Sequence, residues 1–528
     1  MYEMKKIISV VLAASLATLS IAGCGGGKKT ETSKSSLPTG EISYPIKTDK
    51  TLTYWVRLTS ALGTSVKNFG ETPFAKEYMK KTGINVTYQH PAQGQETESL
   101  NLLIASGDFP DIIETDWLSR DPDASINKKT ILKLNDLFDN YAPNIKKYLT
   151  KNPEIDKAVR TDSGNYYVFP FVRGDEKLCA TSGFMLRGDW LKQLNLEVPA
   201  TISEWEEVLK QFKEKKGATS PLAMGVPTGF MTAYGIAADF YIDNGKVHFG
   251  PYEAKYKDYV TTMNKWYNEG YIDKNFAILD GKLINSNMLD GKSGVTFGAG
   301  GGSMGLYLNA KAEEDKTYDL AAAPFPTLNK GEKSEFGNKQ LPYSPLNGGG
   351  ITGKCKNPEL AARFLDYSYS NEGYMLNNFG IEGESYTMVD GYPKFTEVIT
   401  NNPNKLSMAQ SIPLYARSAN EGPFVQDVRY IEQYYKLQQQ QDALIKWSDN
   451  NHEKHMIPQI TLTKEETTEF SKIMSDIKTY RDEALINFIL GTMSVSSFDE
   501  FTAKLKSLKI ERAIEIQQAA YERFLNRS

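Results

Sequence analysis

Few residues in this chain have both the type and the spacing to do chemistry, and each set can be tested on its context. Gly301-Gly-Ser303-Met-Gly305 has the form G-x-S-x-G, in which a serine on a sharp strand-to-helix turn becomes a nucleophile. That chemistry needs an acidic residue and a histidine later in the chain. A strand, Gly294-Val-Thr-Phe-Gly298, precedes the motif, but Gly298 to Gly302 is a pliant run, and His452 and His455 lie far downstream in a polar segment. Gly300-x-Gly302-x-x-Gly305 also fits a dinucleotide fingerprint. Its acidic partner, expected about 20 residues on, is at best Asp319, which opens another strand. The stretch reads instead as a glycine-rich loop at the edge of a cleft, where missing side chains admit a bulky ligand.

Metal and hydrolytic chemistry fare no better. Asp121-Pro-Asp123-Ala-Ser125-Ile-Asn127 opens like a calcium loop, but Ile126 stands where the turn needs glycine and Leu132 where a bidentate glutamate belongs. That pattern argues against an EF-hand and leaves a looser structural calcium site open; no other cofactor is implied. With four histidines and no H-E-x-x-H, a zinc hydrolase has no support. Paired carboxylates for glycoside hydrolysis depend on distances in space, and no pair stands out. No catalytic residue is assigned.

The elements that would position a site are clearer. The chain is organised around Ser99 to Trp117. Leu100, Leu103 and Ile104 lie on one face of a helix. Ser106-Gly107-Asp108-Phe109-Pro110 stops that helix, since Gly107 can turn the chain and Pro110 cannot continue it. Asp111-Ile-Ile-Glu is then a short buried strand, with Trp117 just past its C-terminal end, the end that faces the ligand crevice in open α/β sheets. Upstream, Thr51 to Leu58 reads as a first strand, and Pro73 starts a helix that Gly83 caps. Ile84 to Tyr88 follows as a second strand. Strand, helix, strand, helix, strand makes a parallel α/β lobe.

Further along, Asn165 to Phe171 and Thr181 to Arg187 read as strands. Thr201 with Glu204 makes a capping box for the helix from Trp205 to Lys215. Trp190 and Trp205 sit among leucines and read as core. Asp243-Asn-Gly-Lys246 marks a hairpin turn. Thr463 with Glu466 forms a second capping box at the start of a helical tail that continues to Leu525.

The first residues set the compartment. Lys5-Lys6, an apolar run from Ile7 to Leu19 too short to span a bilayer, and the small residues before Cys24 make a secretory signal. Ile21-Ala22-Gly23-Cys24 resembles a bacterial lipobox, which implies cleavage before Cys24 and a two-chain lipid on its thiol, enough for stable anchoring. From Gly25 to about Lys47 there is almost no apolar content, so a flexible tether is expected, with a span of roughly 25–30 Å. The full chain carries −4; losing Glu3, Lys5 and Lys6 with the leader leaves −5, and no basic stripe invites nucleic acid. Beyond Cys24 only Cys179 and Cys355 remain, read as two buried thiols with a disulfide as the alternative. The 30 Tyr, 24 Phe and 6 Trp suit both a large core and a sugar-binding surface.

Asn101 to Ile113, Phe184 to Leu194 followed by Val198 to Trp205, and Gly380-Ile-Glu-Gly-Glu-Ser-Tyr386 resemble the extracellular solute-binding proteins of carbohydrate ABC importers. The resemblance is to the large lipoproteins of the LipO-like or aldouronate type, related to alginate-binding proteins, and it covers essentially the whole mature chain. It implies a two-lobed α/β fold of the periplasmic-binding-protein type II, with crossing hinge strands and extra C-terminal helices. Lobe one would take residues 48–167 and 348–380; lobe two would take 168–347 and, after a hinge return, the rest of 381–528. The crossovers would be Tyr167 to Met185, Leu341 to Ile351 and Glu382 to Val389.

A sugar offers apolar C–H faces and many hydroxyls, so its pocket needs aromatic plates and a few aimed polar groups. On this reading Trp55 and Trp117 come from lobe-one strand ends, Phe171, Tyr234 and Phe297 from lobe two, and Tyr386 from the third crossover. Arg57, Arg173 and Arg417 are candidates for a uronate carboxylate, which suits a guanidinium fork. Ser303, Asn347 and Glu382 are hydroxyl partners. The resemblance implies a monomer, lipid-anchored on the outer face of the bacterial cytoplasmic membrane, that captures an oligosaccharide and delivers it to a permease without breaking a bond. The alternatives are a secreted glycoside hydrolase or lyase, and a sugar-sensing surface receptor.

Overall fold

Leu52 and Tyr54 point inward from the strand β1 (Thr51–Trp55), and this alternation seeds the first sheet. In the computed structural model, which describes residues 37–419 and 422–527 and only the backbone of 345–347, β1 lies between two parallel neighbours, β2 (Asn85–Gln89) and β3 (Ile112–Thr115). The helix Pro73–Thr82 joins β1 to β2. The Thr72 hydroxyl accepts the Ala75 N–H at its start, and Gly83 (φ 73°) closes it. The helix Glu96–Ser106 joins β2 to β3 and ends on Gly107 (φ 69°). Its Leu100 is buried and its Leu103 and Ile104 are partly buried against Trp55, Ile113 and Trp117.

The chain then adds β4 (Phe169–Arg173) and leaves through Gly174–Thr181 to start a second sheet with β5 (Ser182–Arg187). A hairpin follows, β6 (Phe240–Asp243) with β7 (Lys246–Phe249), turning on Asn244 (φ 48°) and Gly245 (φ 76°), the geometry an Asn-Gly turn prefers. Next come β8 (Val295–Ala299) and β9 (Leu320–Ala322), both antiparallel to β5. The chain returns to the first sheet as β10 (Tyr343–Ile351), which runs antiparallel between β3 and β4. A second hairpin, β11 (Tyr386–Val389) with β12 (Tyr392–Phe395), precedes the edge strand β13 (Val425–Gln426), giving the first sheet the order β2-β1-β3-β10-β4-β13.

The second sheet repeats this plan. Leu222 makes parallel bridges to Ile272 on one side and to Val295 of β8 on the other. Read across, the order Ile272, Leu222, β8, β5, β9 matches β2, β1, β3, β10, β4. In each sheet the antiparallel strand is the one that has just arrived from the other sheet. The result is two α/β lobes laced together by crossing strands.

The passages between lobes differ from the sequence-based boundaries. β4, residues 343–347 and β13 all belong to the first sheet, because their backbone groups pair there. The third crossing is not at Glu382–Val389, which forms the β11–β12 hairpin. It comes after β13, where the chain continues through the helix Val428–Tyr434 to the helix Gln438–Ser448 on the second sheet. There Trp447 donates its indole N–H to the Phe184 carbonyl at 3.1 Å, and Gln440 donates to the Gly300 carbonyl at 2.8 Å.

Lobe two holds the largest core, with Trp205, Trp266 and Trp447 fully buried around Phe184 and Phe230. The C-terminal helices Lys464–Leu490, Phe498–Ser507 and Ile510–Leu525 extend it; Phe488, Phe501 and Ile510 are buried within it. Cys179 and Cys355 are free thiols, the first buried and the second half-buried.

Residues 38–46, which composition assigns to the tether, form a strap across lobe one. The guanidinium of the fully buried Arg363 donates to the Pro38 and Gly40 carbonyls, both at 2.6 Å. The Tyr44 hydroxyl donates to the Arg363 carbonyl at 2.9 Å, Gly40 N–H to Asn140 O at 2.8 Å, and Ile46 N–H to Thr82 O at 2.8 Å. The strap differs from the polar residues before it in carrying Ile42, Tyr44 and Ile46, and it is ordered by burial of Ile46 together with the bonds its carbonyls accept from the buried guanidinium. Cys24 lies outside the described residues.

Candidate functional site

Two cavities open where the strands of the two sheets end. The first, of about 610 Å³, is lined by Asp116, Ser119 and Asp121 beyond β3, by Arg173 at the end of β4, by Gln340 to Ser344 leading into β10, and by the segment from Met456 to Leu462. The second, of about 520 Å³, lies in lobe two and is lined by Met224 to Thr228 beyond Leu222, by Phe297 in β8, by Phe325 beyond β9, and by Phe336, Asn338 and His452. The crossing segment 336–344 and the segment 452–462 each contribute to both cavities. Both cavities therefore sit at carboxyl ends of parallel strands, where sheets of this kind present ligands.

The aromatic candidates divide between core and cavity. Trp117 is fully buried, its indole N–H donating to the Ile113 carbonyl at 3.1 Å and its ring lying over Gly350. A strand end places a side chain near a cleft, but this one turns back into the core instead of facing the opening. Trp55 is 7% exposed in the same cluster. Phe171 is buried edge-on to Phe424, and Tyr386 packs among Phe379 and Phe395. Tyr234 is buried too, and its hydroxyl donates to Thr262 Oγ1 at 2.7 Å at the rim of a separate cavity of about 340 Å³. Phe297 alone of the six lines one of the two strand-end cavities with part of its surface open.

The polar candidates are as widely spread. Arg173 lines the first cavity, stacks over Phe171 and donates to the Leu341 carbonyl at 3.1 Å. Arg57 is exposed at the end of β1. Arg417 faces inward: its guanidinium meets the buried Glu114 carboxylate at 2.6 Å, so it is occupied by the protein. Burial by itself would lower its pKa, but Glu114 overrides this and raises it. Glu382 is exposed on the turn before β11. The side chain of Asn347 lies outside the described residues.

Ser303 sits in a wide helical turn, Gly300–Gly305. The glycines there make room for the protein's own rings: a Cβ on Gly300 would lie 2.6 Å from Tyr435 and one on Gly301 2.8 Å from Tyr434. At these two positions the loop admits two tyrosines, not the bulky ligand expected of it. In the calcium-like stretch, Asp121 accepts the Ala124 N–H and Asp123 accepts from Thr161 and Asn165, so these carboxylates cap and cross-brace. Among the described residues no cluster of three or more His, Cys, Asp or Glu is placed to hold a metal ion.

Phe325, Phe336, Asn338, Gln340 and His452 were not foreseen as lining residues. No motif marked them, and only the crossing of segment 336–344 brings Phe325 and His452 to one wall.

A family profile described as bacterial extracellular solute-binding protein matches residues 64–375. The chain is 26% identical over 559 aligned positions, covering 98% of it and 97% of its relative, to the fructooligosaccharide ABC transporter substrate-binding protein FusA of Streptococcus pneumoniae. It is 23% identical to lipoprotein LipO of Bacillus subtilis, with 93% of each chain covered. Among solved structures it superposes on calcium-free alginate-binding protein AlgQ2 with a TM-score of 0.73 at 27% identity, covering 91% of this chain and 100% of the other.

Proposed function

The chain belongs to the bacterial extracellular solute-binding protein family, and from that premise we propose that it captures an oligosaccharide between its lobes and hands it to an ABC importer. The observation that carries this reading is the pair of cavities at the strand ends of two sheets joined by the same crossing segments. A ligand touching both walls stabilises whichever lobe arrangement brings them together, which is how such a receptor reports occupancy. The protein acts as a monomer held to the outer face of the membrane through lipid on Cys24. It binds and releases its sugar intact.

Arg173 is the guanidinium that lines the first cavity, and a uronate unit facing it is the finer form of this reading.

The test is calorimetric titration of a soluble chain, beginning after Cys24 and retaining residues 37–47, with neutral and uronic oligosaccharides. Tight binding with the sugar recovered at full length supports the reading. A shortened sugar, or no binding by any oligosaccharide, overturns it.

A further inference from the structure

The lobe-two cavity has a composition that selects among sugars. Its side chains include the rings of Phe297, Phe325 and Phe336, the amide of Asn338 and the imidazole of His452. Among the described residues no lysine or arginine lines it, and the one charged lining residue is Asp239, which faces Arg481 across 3.6 Å. Phe297 stands perpendicular to Phe184 at 5.2 Å and 6.3 Å from Phe325, so its orientation is fixed from behind while part of it stays open. Such a plate suits the C–H face of a sugar ring. A carboxylate brought here would lose hydration, meet no lysine or arginine among the described lining residues and sit beside Asp239, which already engages Arg481.

His452 adds a second, independent sign. Its Nδ1 is buried without a hydrogen-bond partner among the described residues, so none of them fixes through that atom which ring nitrogen carries the proton. The other nitrogen can then donate or accept, matching a hydroxyl that does both. Burial, helped by nearby His455, lowers its pKa to about 4 and keeps the ring neutral.

We propose that the lobe-two cavity is a subsite for an uncharged sugar unit, stacked on Phe297 and hydrogen-bonded through His452. The proposal rests on the oligosaccharide-binding reading above and narrows it. A chain made wholly of uronate is excluded by this subsite, whereas a neutral chain, or one with its uronate elsewhere, is accepted.

The test compares neutral oligosaccharides (fructans, xylans and glucans of matched length) with oligogalacturonates and alginate oligomers. The expected result is binding of a neutral chain, with Phe297→Ala and His452→Phe each raising Kd at least tenfold. Saturation transfer from protein carrying protonated Phe in a deuterated background gives a readout that needs no variant: it should reach the C–H protons of the bound ring. Equal or tighter binding of a fully uronic chain overturns the proposal but leaves the receptor reading intact. A neutral ligand that receives no transfer also overturns it. Failure of every oligosaccharide overturns the receptor reading itself.

Discussion

The guanidinium of Arg417 lies 2.6 Å from the carboxylate of Glu114, a residue 303 positions earlier, and the Tyr54 hydroxyl donates to that same carboxylate at 2.6 Å. Glu114 is on β3, so this buried group ties the segment before β13 to the centre of the first sheet. Arg417→Ala leaves Glu114 uncompensated and should cost about 3–5 kcal/mol. The double variant Arg417→Met with Glu114→Gln removes both charges and should recover most of that loss. Urea melts of the three proteins decide it: a double variant as unstable as the single one would show that charge pairing is not the cause.

Trp117 and Gly350 form a tighter contact than any other residue allows. A Cβ on Gly350 would sit 2.6 Å from the Trp117 indole nitrogen, and Gly350 is held in place by its pairing with Ile113 of β3. Gly350→Ala should lower stability by about 1–3 kcal/mol through overpacking and alter the near-ultraviolet dichroism of the indole. An unchanged melt and spectrum would refute the packing.

Two buried titratable groups act in opposite directions below neutral pH. Burial holds His452 near pKa about 4, against an ordinary value of 6.5, so the unfolded chain takes up the proton first as pH falls. Its contribution is complete above pH 6.5 and is lost as pH falls through 4. Asp366, raised by burial from 3.8 to about 6, behaves in reverse: its contribution is complete below 3.8 and is lost as pH rises through 6. Between pH 4 and 7 the melting temperature of His452→Phe should therefore fall with rising pH relative to the parent chain, and that of Asp366→Asn should rise relative to it. Parallel profiles for all three proteins would contradict both assignments.

The strap predicts where the folded protein starts. A chain beginning at Thr48 loses the Pro38 and Gly40 carbonyls that accept from the two terminal nitrogens of the buried Arg363. An unsatisfied buried charged donor costs about 1–3 kcal/mol or more, so this truncation should melt below one that begins at residue 35. Arg363→Met in the shorter chain should restore part of the difference. Equal melting of the two truncations would show that the strap contributes nothing.

Local chemistry was readable along the chain, and contacts across it were not. Thr72 to Gly83, the Asn244-Gly245 turn and the capping boxes at Thr201–Glu204 and Thr463–Glu466 all depend on neighbours within a few residues, and all form. The position of Trp117 at a strand end was equally local, but the direction of its ring depends on Gly350, which reaches it only through the returning β10. Arg417 read as a sugar ligand for the same reason: its partner lies on another strand, and only the topology reveals it. Phe336 and His452 needed two separate crossings to meet. The glycines at 300 and 301 signalled close approach correctly, but the approaching groups were Tyr434 and Tyr435.

The strap also determines how a pull on the N-terminus would travel through the molecule. A load applied ahead of Pro38 meets the Arg363 clamp, then the Gly40–Asn140 and Ile46–Thr82 hydrogen bonds, before any tension reaches β1. That force passes into the helix Pro358–Asp366, which carries Arg363, and not into the strand beside β3. It works as strain relief does on a cable: the cord can be tugged while the terminals stay still, and the sheet whose strand ends line the first candidate cavity is on the sheltered side.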